Sequence, residues 1–270
     1  MINVQPVTPA APYIGGKRLL SRQIVPMIEA VPHTLYAEPF VGMGGVFFRR
    51  RQSPKAEVIN DRSGDVVNLF RILQRHYPQF IETLKFQITS RREFERLRRI
   101  DPITLTDLEC AARFLYLQRT GFSGKVEGRT FGIDRERGSR FNLLKLAPIL
   151  EDIHERLAGV TIENLDWLAF IDKYDRPGTL FYCDPPYWGA EDYYGKDLFD
   201  RDQFEKMAEH LARIKGRFIM SINNVKEIRE LFAAFNIIEA DVRYSCGSDN
   251  RHIGKELIIT NQPKENFKTM

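Results

Sequence analysis

Residues 180–188 read LFYCDPPYW, and no other stretch limits the fold of this chain so tightly. The first four are apolar and aromatic, the mark of a short strand buried on both faces. The next four, Asp184-Pro185-Pro186-Tyr187, end it, because proline has no N–H to give to a ladder and cannot extend a central strand. An acid, two rigid residues and an aromatic ring therefore stand at the carboxyl edge of a strand, which in open α/β sheets is where ligands bind. Asp184 supplies one hydrogen-bond acceptor, the carbonyl of Pro185 a second, and Tyr187 a flat face. This set suits a planar base carrying an exocyclic NH2. A strand-ending turn with a packed tyrosine accounts for the same four residues, so the rest of the chain has to decide.

An earlier strand is expected at 33–38, running into EPFVGMGG at 38–45 and a helical segment from Val46. Glycines 42, 44 and 45 let a ligand approach the backbone closely, and Phe40 can wall it. The dinucleotide fingerprint is absent, since no third glycine completes its spacing. The next strand, 57–60, stops at Asp61. An acid about 20 positions past a strand and glycine turn commonly accepts from a ribose hydroxyl; capping of the following helix is the other reading of Asp61, and the glycine turn before it favours the ribose. The Gly-Gly-Lys at 15–17 is not a phosphate loop: Ala11 stands where the first glycine is needed and Arg18 replaces the Ser/Thr. A helix follows it, with Pro26 predicting a kink or a late start.

From 65 to 157 the strand signals vanish. Ser90 with Glu93, and Thr106 with Glu109, have the spacing of capping boxes that open helices. Between Arg71 and Lys145 there are 16 Lys and Arg against 9 Asp and Glu, although the whole chain carries only +4. Basic charge concentrated in one segment is the footprint of polyanion binding. Within it, 119–132 forms a loop mixing four glycines, Phe122, Phe131, Arg119, Lys125 and Arg129, a combination that suits nucleic-acid contact. Arg91 and Arg92 are further candidates for phosphate contact in the same basic segment. Strands return at 160–164, followed by Asp166, and then at 180–183, 217–221, 237–244 and 257–260. A helix over 202–214 has Asp200 as its expected cap, 245–255 reads as a mobile polar loop, and 262–270 reads as a frayed tail.

The 270 residues, 43% hydrophobic and 28% charged, are ordinary globular composition. No run approaches the roughly 20 apolar residues of a membrane span. The uncharged Pro/Ala-rich amino end does not read as a signal peptide. Three widely spaced cysteines and five scattered histidines give neither a disulfide framework nor a metal site, so a reducing, cytoplasmic setting is expected with no metal and no membrane partner.

Taken together, the motifs resemble those of the Dam-like DNA adenine-N6 methyltransferases, over roughly 13–260. YIGGK at 13–17 is similar to the family's amino-terminal motif and EPFVGMGG to its donor-binding loop. Asp61 and Asp166 resemble the acids after its second and third strands. FLYLQR at 114–119 with GFSG at 121–124 is similar to its recognition helix and loop, and DPPY to its catalytic motif. Two departures stand out: Gln118-Arg119-Thr120 replaces an expected Asn-Arg-Tyr, and GSDNRH at 247–252 matches only loosely.

The resemblance implies an α/β fold, a Rossmann-like S-adenosylmethionine methyltransferase sheet with a reversed carboxyl-terminal strand. The catalytic domain would comprise 1–64 and 158–270, with 65–157 a helical target-recognition insertion. It implies transfer of a methyl group from S-adenosylmethionine to N6 of a flipped-out adenine in double-stranded DNA. Asp184, Pro185 and Tyr187 would be catalytic. Tyr13, Lys17, Glu38, Pro39, Phe40, Gly42, Gly44, Asp61, Asp166 and Asp184 would line the donor site, and Arg91, Arg92, Arg119, Phe122, Lys125 and Arg129 would meet DNA. Rival readings are methylation of another planar amine (cytosine N4, RNA adenine or a glutamine side chain), a nucleotide-dependent oxidoreductase on the same sheet, and a DNA-binding protein without catalysis.

Overall fold

A computed structural model describes the chain apart from residues 14, 123, 125, 127, 133–137, 190–198, 245–251 and 268–270, with backbone only for 241–244, 252–254 and 264. The strands are β1 (Ile2–Asn3), β2 (Leu35–Glu38), β3 (Gln52–Ser53), β4 (Ala56–Asn60), β5 (Thr161–Glu163), β6 (Thr179–Cys183), β7 (Arg217–Asn223), β8 (Asn236–Tyr244) and β9 (His252–Thr260). The helices are α1 (Ser21–Ala30), α2 (Gly64–Arg75), α3 (Tyr77–Leu84), α4 (Arg91–Arg99), α5 (Asp107–Thr120), α6 (Leu143–Arg156), α7 (Trp167–Tyr174), α8 (Asp202–Leu211) and α9 (Lys226–Leu231).

Among the described residues, seven strands make one sheet in the order β5-β4-β2-β6-β7-β9-β8, and β1 pairs with β3 as a separate ribbon. The five strands from β5 to β7 are mutually parallel, while β9 runs antiparallel to β7 and β8 antiparallel to β9. The expected reversed carboxyl-terminal strand is thus present. The chain moves outward from β2 to β4 to β5, then returns to place β6 on the other flank of β2. Strand order reverses between β2 and β6, so the segments leaving their carboxyl ends border one crevice.

Strand alternation divides the core. Tyr36, Leu180, Tyr182, Ile219 and Ile258 join an apolar cluster with Ile24, Phe70, Phe114 and Leu150 from the helices of one face. Ala37, Phe181, Cys183, Phe218, Met220 and Leu257 join Trp167, Phe170, Phe204 and Met207 on the other. Successive side chains point to opposite faces of a strand, so a sheet covered on both sides reads as a continuous apolar run. The first cluster continues from the sheet through α2 into α4, α5 and α6. On that side Glu57 of β4 accepts from Arg156 at 2.7 and 2.8 Å and also pairs with the fully buried Arg50, tying α6 to the sheet.

Several local expectations need correction. β9 starts at His252, so residues 252–255 belong to a strand, and 245–251 lie outside the described residues. Phe47–Arg49 forms one 3-10 turn. Only Thr106 and Glu109 close a full capping box; the carboxylate of Glu93 turns instead to Gln87 and Arg96, while the N–H of Ser90 donates to Tyr116. α8 ends at Leu211, and Asp200 assists its start through its backbone carbonyl, which accepts from Gln203. In the expected frayed tail, Lys264–Phe267 makes a 3-10 turn and Phe267 is buried in the α1 cluster. α7 and α9, eight and six residues long, were not legible, being too short to display a helical period.

Candidate active site

The strands lay a strip of polar residues along one face of the sheet at its carboxyl edge. On the face that buries Tyr36, Tyr182, Ile219 and Ile258, alternation carries each strand on to Glu38, Asp184, Ser221 with Asn223, and Glu256. Asn223 and Glu256 are direct partners across β7 and β9. Along four adjacent strands the apolar core thus gives way to acids and amides beside the crevice.

Asp184 is the centre of this strip. Its Oδ1 lies 2.8 Å from the Lys17 ammonium and accepts from Ser221 Oγ at 3.1 Å; Ser221 is in turn 2.7 Å from the Tyr182 hydroxyl. Among the described residues Oδ2 has no hydrogen-bond partner. Burial pushes the carboxyl up to about 6, opposed by Lys17 and reinforced by the charge of Glu256. The Lys17 ammonium, itself buried, also donates to the carbonyl of Gly15 at 2.9 Å and to the hydroxyl of Tyr187 at 3.0 Å. That hydroxyl donates to Glu256 at 2.6 Å. Lys17, expected to line the donor site, bridges the acid and the aromatic of the Asp-Pro-Pro-Tyr turn.

Beside Asp184 opens a cavity of about 810 Å³, lined by Tyr13, Lys17, Glu38, Phe40, Gly42, Asp61 and Asp184, within the range of small-molecule sites. The N–H of Gly42 donates to Asp61 Oδ2 and that of Ser63 to Oδ1, both at 2.8 Å, so Asp61 ties the glycine turn to the start of α2. Burial raises Asp61 to about 6 against those two bonds. Glu38, 1% exposed, accepts from Tyr36 at 2.7 Å, and burial drives it to about 8. Phe40 packs edge-on against Phe199, a wall the sequence did not reveal. Gly42 has φ +49, and a methyl there would lie 3.1 Å from the Tyr13 ring, so glycine brings the turn close to that wall.

Three expected donor residues fall elsewhere. Gly44 does not line the cavity; its φ of +71 and the Phe48 ring 2.3 Å from where a Cβ would stand make it a packing requirement. The carbonyl of Pro39 accepts from Asn60 at 2.9 Å, which fixes the loop rather than facing the cavity. Asp166 is exposed and caps α7 through Leu168 at 2.9 Å. It follows β5, an edge strand separated from the crevice by β4.

The sequence of residues 13–246 matches the family of D12 class N6 adenine-specific DNA methyltransferases. The chain belongs to that family. It is an adenine-specific DNA methyltransferase, and a methyltransferase of this family uses S-adenosylmethionine. Among similar proteins, the type II methyltransferase M1.LlaDCHI of Lactococcus lactis subsp. cremoris is 27% identical, with 96% of each chain covered. The type II methyltransferase M.CviBI of Paramecium bursaria Chlorella virus NC1A is 22% identical over 96% of this chain and 99% of its own. A crystal structure titled precorrin 8w decarboxylase, from Methanobacterium thermoautotrophicum, aligns with 90% of this chain and 89% of its own at a TM-score of 0.39 and 11% identity, too remote to bear on the argument.

In this methyltransferase the residues expected to meet DNA separate into groups. Arg91 and Arg92 are exposed in the first turn of α4, where cations oppose the helix dipole, and Arg91 lies over the Phe131 ring. Phe122 is 62% exposed, in a loop closed at its base by Phe122 N–H to Thr130 and Gly132 N–H to Thr120. Arg119 is half-buried on the cavity rim and donates to the carbonyls of Ala10 at 2.6 Å and Arg140 at 3.0 Å. Arg129 departs from expectation: it is buried, stacks over Phe114 and donates to Gln118. Lys125 lies outside the described residues. Gln118, at the position that departs from the family pattern, is buried and donates to the carbonyls of Pro12 at 2.8 Å and Gly124 at 2.7 Å, joining the 121–132 loop to the segment before Tyr13. Sequence reasoning missed Ser221, Asn223 and Glu256. Their only signal was a polar residue closing or opening an apolar strand.

Proposed function

We propose that the cavity beside Asp184 holds S-adenosylmethionine and that Asp184, with the Pro185 carbonyl, receives the adenine amine. The observation that carries this reading is the asymmetry of the Asp184 carboxylate. Oδ1 is held by Lys17 and Ser221, so the group cannot rotate freely, while Oδ2 has no hydrogen-bond partner among the described residues and Asp184 lines the cavity. The lone pair of an adenine amine is delocalised into its ring, which makes it a poor nucleophile. Two fixed acceptors orient its hydrogens and stabilise the positive charge that grows on nitrogen, an electrostatic contribution already in place before reaction. Tyr187 supplies the face on which a base rotated out of the duplex stacks.

The residues present fit the donor. S-adenosylmethionine supplies an electrophilic methyl on a sulfonium cation, and Glu38, Asp61 and Asp184 surround the cavity with carboxylates. Asp61 keeps acceptor capacity for a ribose hydroxyl beyond its two backbone bonds. Glu38 suits the amino group of the donor: a cation beside it would favour its ionised form, against the burial that now raises it. Phe40 and Tyr13 wall the purine side.

The basic helical segment 65–157 is the proposed target-recognition unit, with Arg91, Arg92 and Lys125 on backbone phosphates and Phe122 against bases. DNA as substrate agrees with a cytoplasmic location, and no helix among the described residues is long and apolar enough to cross a membrane. The test is methylation of mixed-sequence DNA with labelled donor, followed by mapping of the modified base. Label on adenine N6, transferred on the order of 100-fold or more slowly by Asp184→Ala while donor binding persists, supports the site assignment; labelling at the wild-type rate in that variant overturns it.

A further inference from the structure

The Asp-Pro-Pro-Tyr turn cannot hold itself. Two consecutive prolines contribute no N–H, so the fixed position of Tyr187 has to be imposed from outside the turn. The antiparallel end of the sheet imposes it. Asn223 clamps the backbone of Trp188 twice, accepting from its N–H at 2.9 Å and donating to its carbonyl at 3.0 Å. Its cross-strand partner Glu256, only 2% exposed, accepts from the Tyr187 hydroxyl at 2.6 Å. We propose that this Asn223–Glu256 rung positions the turn, with Glu256 setting the plane of the Tyr187 ring for the flipped base. The proposal rests on the reading of Asp184 and Tyr187 above.

The geometry explains why an acid occupies this place. The Tyr187 hydroxyl accepts from Lys17 at 3.0 Å, so its own proton points to Glu256 and the ring is held from two sides. Glu256 also completes a set of charges around Asp184: Lys17 from the amino-terminal segment, Glu38 from β2 and Glu256 from β9, with the hydroxyls of Ser221, Tyr182 and Tyr187 between them. The Glu256 charge makes Asp184 harder to ionise. Removing that charge while keeping an acceptor for Tyr187 separates an electrostatic influence from a mechanical one.

The test compares Glu256→Gln, Glu256→Ala, Tyr187→Phe and the Tyr187→Phe/Glu256→Ala double variant. The readouts are single-turnover methylation of unmethylated genomic DNA at saturating donor across pH, and donor affinity by calorimetry. Glu256→Ala should be slower by about 100-fold, the effect of misplacing a reacting group by an ångström, with donor affinity unchanged. Glu256→Gln keeps an acceptor and should run close to wild type at pH 8, with its acid limb displaced to lower pH. Tyr187→Phe keeps the ring face but loses the tether, so adding Glu256→Ala to it should cost nothing more. A wild-type rate in Glu256→Ala, a rate in Glu256→Gln at pH 8 as low as that of Glu256→Ala, or full additivity in the double variant overturns the proposal. Should Glu256→Ala not fold, the rate of Tyr187→Phe decides: a loss of about 100-fold supports the tether and a wild-type rate overturns it. A wild-type protein that leaves adenine unmethylated would instead sink the underlying site assignment.

Discussion

The two halves of the site are built from different materials. On the proposed donor side, Asp61 is gripped by two backbone N–H groups, those of Gly42 and Ser63, and the wall is a glycine turn leaving β2. On the proposed target side, Asp184 is gripped by two side chains, Lys17 and Ser221, distant from it in sequence, and Tyr187 is tethered by a third, Glu256. Burial raises both aspartates to about 6, so the same physical force acts on each. The difference lies in what opposes it. Backbone donors are fixed once the turn forms, whereas side-chain donors each bring a charge or a hydroxyl that a single substitution removes. The donor half should therefore tolerate most side-chain changes and fail when the turn is disturbed, while the target half should respond residue by residue.

The largest effect should come from Asp184→Ala, which removes the acceptor facing the reacting amine. Single-turnover methyl transfer should fall on the order of 100- to 1,000-fold, as when one preorganised group is lost, with donor affinity nearly intact. An equal loss of donor affinity would mean that the halves are not separable. Asp61→Ala should reverse the pattern, weakening donor binding by about 1.5–3 kcal/mol through lost charge-assisted bonds while the rate at saturating donor holds. Gly44→Ala tests the backbone half directly. A methyl forced toward Phe48 at a positive φ should lower stability by about 1–3 kcal/mol in denaturant unfolding and weaken the donor with it. A fully stable Gly44→Ala would show that the turn does not depend on this geometry.

A smaller effect concerns pH. Catalysis needs Asp184 ionised, so the rate should fall as pH drops through about 6. Lys17 opposes the burial that raises Asp184; in Lys17→Met the carboxylate should bind its proton more tightly and the acid limb should move to higher pH, opposite to Glu256→Gln. A limb unmoved by Lys17→Met would remove Asp184 as its source. The smallest effect is at the surface. Arg91→Gln and Arg92→Gln should each flatten the dependence of log affinity for DNA on log salt by about 0.9 if each meets one phosphate. Unchanged slopes would take α4 out of the interface.

What the sequence determined by itself is local. The strand that stops at Asp184-Pro185-Pro186, the glycine turn after β2, the acid ending β4 and the helical run from 65 follow from turn chemistry, missing N–H groups and periodicity, all set within a few residues. The same rules could not say which charged residues face solvent. Arg129 and Asp166 have the composition of site residues, yet one is buried against Phe114 and the other caps α7 at the sheet edge. Nor could they bring Glu256 to Tyr187. That meeting depends on β9 pairing antiparallel with β7 in the register that sets Glu256 opposite Asn223, and a slip of one residue would turn its side chain to the opposite face. The tertiary structure decided these places because strand order and register, unlike turns, are fixed by contacts between segments far apart in the chain.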